Sequence, residues 1–231
     1  AGGVLGAVAA TSPGSYLAVP NSRLDTVEVN ADTESGMRYS SEIVGNLNGP
    51  RWFSTGVLLP DGSVMAFNGA NRDEVVLPGS ATPVQMTERF DPETGEWTEM
   101  ATSLNPRTYH NTALLLPDGR VLVGGHAPIN TAYLFSLNLE ELGLSPNDGR
   151  DPSFEIYSPP YVFKDRPEII QAPSEVDHGD TIEIAVDDAS AINEVMMVRR
   201  TSLTHLVDGD QRNVVLPHTA NGNSVRVQIP E

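Results

Sequence analysis

Two stretches of this 231-residue chain are the same unit. "STGVLLPDGSVMAFNGAN" (54–71) and "NTALLLPDGRVLVGGHAP" (111–128) each read as strand, Pro-Asp-Gly turn, strand. The turns stand at 60–62 and 117–119, 57 residues apart. Self-similarity at about this period marks a propeller or a solenoid, because one such unit cannot bury its own apolar face and must stack on the next. Few other readings of the chain survive that repeat.

The residues after each hairpin extend the pattern. "MTERFDPETGEWTEM" (86–100) gives a strand, an Asp-Pro turn, a Gly turn and a Trp-bearing strand. Hairpin, gap, then "FDP..G.W" is the pattern of a kelch-type blade of four antiparallel strands. "FEIYSPPYVF" (154–163) follows the second hairpin as the counterpart of "TERFDP". Upstream, Gly2-Gly3 and "SRLDTVEVN" (22–30) read as the later part of a preceding blade. The 18 Pro and 20 Gly fit an all-β chain rich in turns. The count is roughly two and a half blades, where closed propellers have about 4–8. The remaining N-terminal blades are therefore expected from residues outside this sequence, in the same or a separate chain.

From Arg166 the character changes. Thr181–Val186, Glu194–Arg199 and residues 222–231 alternate apolar and polar, with Pro167 and Pro173 ahead of them. This reads as the start of an immunoglobulin-like sandwich, short of the roughly 100 residues such a fold needs. The expected organisation is partial kelch-type propeller blades over 1–165, then an apparently truncated sandwich over 166–231. The stretch 133–151 reads as an insertion in the last blade, with a helical turn at Leu139–Leu142.

Charge and cysteine content narrow the chemistry. A formal net charge of −17 repels nucleic acid and anionic membrane surfaces, which makes both poor partner candidates. No apolar run approaches the length of a membrane span. The opening "AGGVLGAVAATSPG" loosely matches a signal cleavage site but lacks an initiating Met and a basic region, so it reads as a start inside a fold. The absence of cysteine removes disulfides, thiolate metal sites and thiol nucleophiles from these residues. No nucleophile elbow, phosphate-cradling loop or His-Glu-x-x-His is present.

When the hairpins are aligned on their turns, Trp52-Phe53 falls where Tyr109-His110 falls. Two bulky aromatics satisfy packing in the first unit. A phenol and an imidazole keep that bulk in the second and add two metal-binding groups. Neighbouring strand residues point to opposite faces, but twist and a following loop can bring both to one rim. His126 follows Gly124-Gly125 at a hairpin end. His178 and His218 sit in turns and read as solvated. His205 ends an apolar strand before an Asp-Gly turn, where a surface histidine and a loop-tip metal ligand are both open readings.

"RTYHNTALLLPDGRVLVGGH" together with "TSLTHLVDGDQR" resembles the galactose oxidase and glyoxal oxidase family of copper-radical oxidases. In that family a seven-bladed kelch propeller precedes an immunoglobulin-like early-set domain. The resemblance implies that Tyr109 matches the axial tyrosine, His110 the first equatorial histidine and His205 the second. It implies a Cu2+ cofactor and a small-molecule alcohol, aldehyde or carbohydrate substrate, oxidised with O2 to give H2O2. Tyr109 would act as the base. Asp208, Asp210 and Gln211 stand near His205 as candidates to orient it. The family's Tyr-Cys radical comes from earlier blades and is expected only from upstream residues. Trp52 and Trp97 do not match the tryptophan that stacks over that cofactor. The family also implies a secreted or cell-surface protein. The alternative is a non-enzymatic kelch/early-set protein that binds a partner or belongs to the cell wall.

Overall fold

The Pro-Asp-Gly turns close as their residues dictate. In the first, Gly62 N–H donates to Leu59 O at 3.0 Å and Leu59 N–H to Ser63 O at 2.8 Å. In the second, Gly119 N–H donates to Leu116 O at 3.0 Å and Leu116 N–H to Arg120 O at 2.8 Å. Proline presets the first turn dihedral, and the glycine takes the left-handed conformation that closes the hairpin, at φ +79° and +84°. Asp61 and Asp118 brace the turns by accepting from Ser63 N–H and Arg120 N–H.

The computed structural model describes residues 4–5, 17–18, 20–30, 32–71, 83–126, 151–204 and 208–231. Residues 133–150 of the expected insertion, its helical turn, Gly2-Gly3 and His205 lie outside them. The described residues form an all-β fold of small antiparallel sheets. Strand β1 (Val4–Leu5) pairs with β2 (Leu17–Ala18), and β3 (Asn21–Val29) with β4 (Met37–Asn46). Strands β5 (Thr55–Leu58), β6 (Val64–Phe67), β7 (Met86–Asp91) and β8 (Glu96–Thr102) make a four-stranded meander in chain order, as expected of a blade. Strands β9 (Thr112–Leu115), β10 (Val121–Gly124) and β11 (Phe154–Tyr157) repeat its first three strands. A 3-10 turn, Pro160–Phe163, follows where the sequence pattern led us to expect blade alone.

One apolar core spans both repeats. Val57, Leu59, Met65 and Phe67 of the first pack with Ala113, Val121 and Val123 of the second. Each hairpin thus buries its apolar face on its neighbour, as the repeat demands. The β3–β4 hairpin joins the β7–β8 turn and the outer strand β8, with Gly45 N–H donating to Gly95 O at 2.9 Å and Trp97 Nε1–H to Ser22 Oγ at 2.7 Å.

A second core gathers Val186, Leu216, Val225, Val227 and Ile229. It belongs to a sheet of β12 (Ile169–Gln171), β13 (Thr181–Val186), β17 (Ser224–Gln228) and β16 (His218–Asn221), in that order. Beside it β14 (Met196–Val198) pairs with β15 (Asn213–Val215). His218 opens strand β16 opposite Val227, which corrects its reading as a turn residue. The turn of "LPHTANGN" comes later, at Gly222-Asn223, with Gly222 at φ +59°.

Side-chain amides fasten the C-terminal residues to β5, the edge strand of the first meander. Gln211 Oε1 accepts from Leu58 N–H at 2.7 Å, and Gln211 Nε2 donates to Gly56 O at 2.9 Å. Asn213 Nδ2 donates to Leu59 O at 2.6 Å. One carboxamide here satisfies main-chain groups that a sheet edge otherwise leaves to water.

Candidate metal centre

Each hairpin is preceded by Pro-Arg, at 50–51 and 106–107, and both arginines are buried. Arg51 pairs with Glu88 on β7. Arg107 donates to Glu155 on β11 at 3.2 Å, to Ser153 Oγ at 3.0 Å and to Gly125 O at 3.2 Å. The pairs recur because the strand that enters each unit must cross buried ground, and a guanidinium there needs a carboxylate. The sequence held the signal, Pro-Arg before each hairpin and Glu on each third strand. Our reading of the residues did not use it.

Between Arg107 and β9 the chain bends. Tyr109 and His110 lie in that bend, before the strand begins at Thr112, which corrects their placement on the strand itself. His110 takes φ +47°. Phe53, its counterpart 57 residues earlier, takes φ +58°. Asn68 at φ +59° likewise matches Gly125 at φ +74°. The repeat is therefore one of backbone conformation as well as of sequence. A left-handed residue breaks the strand alternation that would send neighbouring side chains to opposite faces. The Tyr109 and His110 rings accordingly lie together, centroids 3.9 Å apart and 32° from parallel.

The equivalent pair of the first repeat packs against this one. Trp52 stacks on Tyr109, and Phe53 meets Tyr109 edge-on at 4.3 Å and His110 at 5.9 Å. Tyr109 is buried and His110 is exposed. Below them, Thr108 N–H donates to His126 Nδ1 at 3.2 Å. Burial, aided by the Arg107 charge, pushes the His126 imidazole below its ordinary pKa, and Asp151 opposes that shift.

A phenol and an imidazole side by side offer an oxygen and a nitrogen, donors that suit Cu(II), which favours mixed N,O sets in tetragonal geometry. His205, the third residue of the set, lies outside the described residues. Among the described residues no group of three or more His, Cys, Asp or Glu side chains gathers to hold a metal. The candidates to orient His205 have other work in the structure. Asp208 accepts from Ser202 N–H at 2.7 Å, Asp210 pairs with Arg199 at 2.7 Å, and Gln211 docks on β5.

Residues 36–161 match the family model "Glyoxal oxidase N-terminus", and residues 166–231 match "Galactose oxidase-like, Early set domain". The chain belongs to the galactose oxidase and glyoxal oxidase family. It is similar to galactose oxidase of Gibberella zeae, 31% identical over 189 residues that cover 78% of this chain and 25% of the relative. It is also similar to the aldehyde oxidase GLOX1 of Arabidopsis thaliana, 29% identical over 180 residues that cover 72% of this chain and 28% of that protein. The chain thus spans about a quarter of the length of these oxidases. A solved structure titled as a fungal alcohol oxidase of the AA5 family in complex with copper superposes with a TM-score of 0.72 at 26% identity, covering 92% of this chain and 42% of that one. Within the family fold the described residues contain no helix long and apolar enough to cross a membrane.

Proposed function

We propose that this chain is the C-terminal portion of a secreted copper-radical oxidase that oxidises a primary alcohol or an aldehyde with O2 to H2O2. On this reading residues 1–165 are the last blades of a kelch-type propeller and 166–231 belong to an early-set domain. The observation that carries the proposal is the left-handed bend at His110, which sets the phenol and the imidazole side by side.

Tyr109, His110 and His205 would hold Cu2+. When bound, the metal supplies Lewis-acid activation of a substrate hydroxyl and one of the two electron-accepting steps. Tyr109 has the role of base: its phenolate oxygen takes the proton of that hydroxyl. The stack with Trp52 and Phe53 fixes the ring that carries this oxygen and keeps water from its faces. His110 and His205 contribute neutral imidazole nitrogens. The second electron store would be the family's Tyr-Cys radical, which residues outside this cysteine-free sequence would have to supply.

That same lack of cysteine favours a second reading, a kelch/early-set protein that binds a partner or the cell wall without redox chemistry. One experiment separates them. The full-length protein is loaded with Cu(II), and peroxide is followed with glycolaldehyde or galactose as substrate. Copper-dependent peroxide supports the oxidase. Failure to bind Cu(II) and to form peroxide leaves the binding protein.

A further inference from the structure

We propose that Asn111 is the positioning residue of the Tyr109–His110 pair, holding the bend that sets the two rings side by side; the inference rests on the copper reading above. Asn111 is 4% exposed, and all four hydrogen-bonding positions of its carboxamide are used. Its Oδ1 accepts from Thr55 Oγ1 at 3.0 Å and from Asn68 Nδ2 at 3.3 Å. Its Nδ2 donates to Phe53 O at 3.0 Å and to Arg107 O at 3.4 Å.

The two donor contacts are what matter for the pair. Arg107 lies four residues before Asn111, so the bond to Arg107 O closes a loop around Thr108, Tyr109 and His110. Phe53 O belongs to the equivalent left-handed residue of the preceding repeat. One amide therefore closes the bend that carries the candidate ligands and ties it to the bend that carries Trp52 and Phe53. A non-glycine residue at positive φ is strained and persists only where its surroundings over-determine it. At His110 the Asn111 carboxamide supplies that constraint from one side and Gly125, packed under His110 O, from the other.

Only a carboxamide of this length offers two donors and two acceptors in these directions. Asn111→Asp keeps the shape and turns both donors into acceptors that face carbonyl oxygens. Asn111→Ser installs the residue found at the counterpart, Ser54, in a bend that folds with serine. Thr55→Val is the control: it removes one bond to Asn111 Oδ1 and leaves both donor contacts in place.

The test uses the full-length protein with Cu(II) alone as the probe. Affinity is read by chelator competition, the ligand field by electron paramagnetic resonance, and stability by thermal unfolding without metal. Asn111→Ser and Asn111→Asp are expected to weaken Cu(II) binding about tenfold and to shift the copper hyperfine splitting. Thr55→Val is expected to lower the unfolding temperature with the wild-type copper spectrum unchanged. Wild-type affinity and spectrum in Asn111→Ser would overturn the proposal, and that variant decides alone if Asn111→Asp does not fold. A wild-type protein that takes up no Cu(II) overturns the metal reading and this inference with it. Wild-type binding that is unaltered in the Asn111 variants removes this inference only.

Discussion

The indole of Trp52 lies against the phenol ring of Tyr109, with centroids 5.1 Å apart and planes 11° from parallel. The two residues occupy the same position in successive repeats, so the stack is a contact between equivalent slots of neighbouring units. Both are nearly buried. Trp52→Ala is expected to cost about 3–5 kcal/mol, from the lost burial of the indole together with the cavity left behind. Trp52→Phe keeps an aromatic face on Tyr109 and is expected to recover the stacking part, about 0.5–1.5 kcal/mol, along with much of the burial. Urea unfolding of the three proteins checks this. Equal losses in both variants would show that the indole, not the stack, matters there.

The Arg51–Glu88 pair offers a second stability test. Both side chains are buried, at 0% and 2% exposure. Arg51 also donates to Asn68 O at 3.1 Å and Met86 O at 2.5 Å, and Glu88 accepts from Asn48 N–H at 2.6 Å. Burial pulls the Arg51 pKa down, and the bond and charge of Glu88 hold it up. Removing one partner strands the other, so Glu88→Ala is expected to cost about 3–5 kcal/mol. The double change Arg51→Met with Glu88→Leu is expected to cost less than either single loss. The related Arg107–Glu155 pair has its carboxylate 16% exposed, and Glu155→Ala is expected to cost less than Glu88→Ala. A double-mutant cycle in denaturant measures each.

The hairpins were legible in the sequence because Pro-Asp-Gly fixes the turn and the flanking residues fix which face is buried. Thr181–Val186 was legible for the same reason of alternation, and it is β13 as expected. Strands β12, β15 and β16 were not. Each has three or four residues, mostly exposed or half-buried, and exists through its partner rather than through local pattern. His218 shows why: Pro217 before it and Asn-Gly after it read as a turn, yet pairing with Val227 makes a strand. At the candidate centre the residue types were legible and the bend was not. Histidine is enriched among non-glycine residues at positive φ, but that tendency is too weak to mark the bend in the sequence. The close approach of Gly125 and the Asn111 carboxamide's bond to Phe53 O hold it, and both are tertiary facts.

Gly125 should be intolerant of a side chain for that reason. It has φ +74°, and a Cβ there would stand 2.8 Å from His110 O, a main-chain atom that cannot swing aside. Gly36, at the β3–β4 turn, has a similar φ of +69° with nothing within 4 Å. Gly36→Ala is expected to cost about 1–2 kcal/mol, the left-handed penalty alone. Gly125→Ala is expected to cost about 2–4 kcal/mol, with overpacking added to that penalty. Thermal unfolding compares them. A Gly125→Ala loss no greater than that of Gly36→Ala would show that the His110 bend can shift to make room.

His126 predicts a pH dependence whose sign follows from its shift. Its Nδ1 must be unprotonated to accept from Thr108 N–H. Burial and the Arg107 charge lower its pKa in the folded protein, against the pull of Asp151. The unfolded chain therefore binds a proton at higher pH than the folded one. The contribution is fully present above the ordinary imidazole pKa, about 6.5, and is lost progressively as pH falls below it. The unfolding temperature is expected to drop between pH 7.5 and 5.5, with a shallower drop in His126→Gln. Identical slopes would remove His126 from the acid response.

Tyr109→Phe separates the ring of Tyr109 from its hydroxyl. Phenylalanine keeps the contacts with Trp52, Phe53 and His110, all of which are made by the ring. Folding stability is therefore expected to change by less than about 1.5 kcal/mol. On the proposed oxidase reading the two imidazoles would still retain copper in the full-length protein, while the base would be gone. Peroxide formation is expected to fall by about 10²–10⁴-fold, the usual contribution of a positioned base. His205→Ala acts on the other term, with Cu(II) affinity lost and, through it, turnover. Chelator competition and a peroxide assay on the same preparations distinguish the two effects. A Tyr109→Phe protein with wild-type turnover would show that the hydroxyl carries no proton in the reaction and that Tyr109 serves the aromatic stack alone.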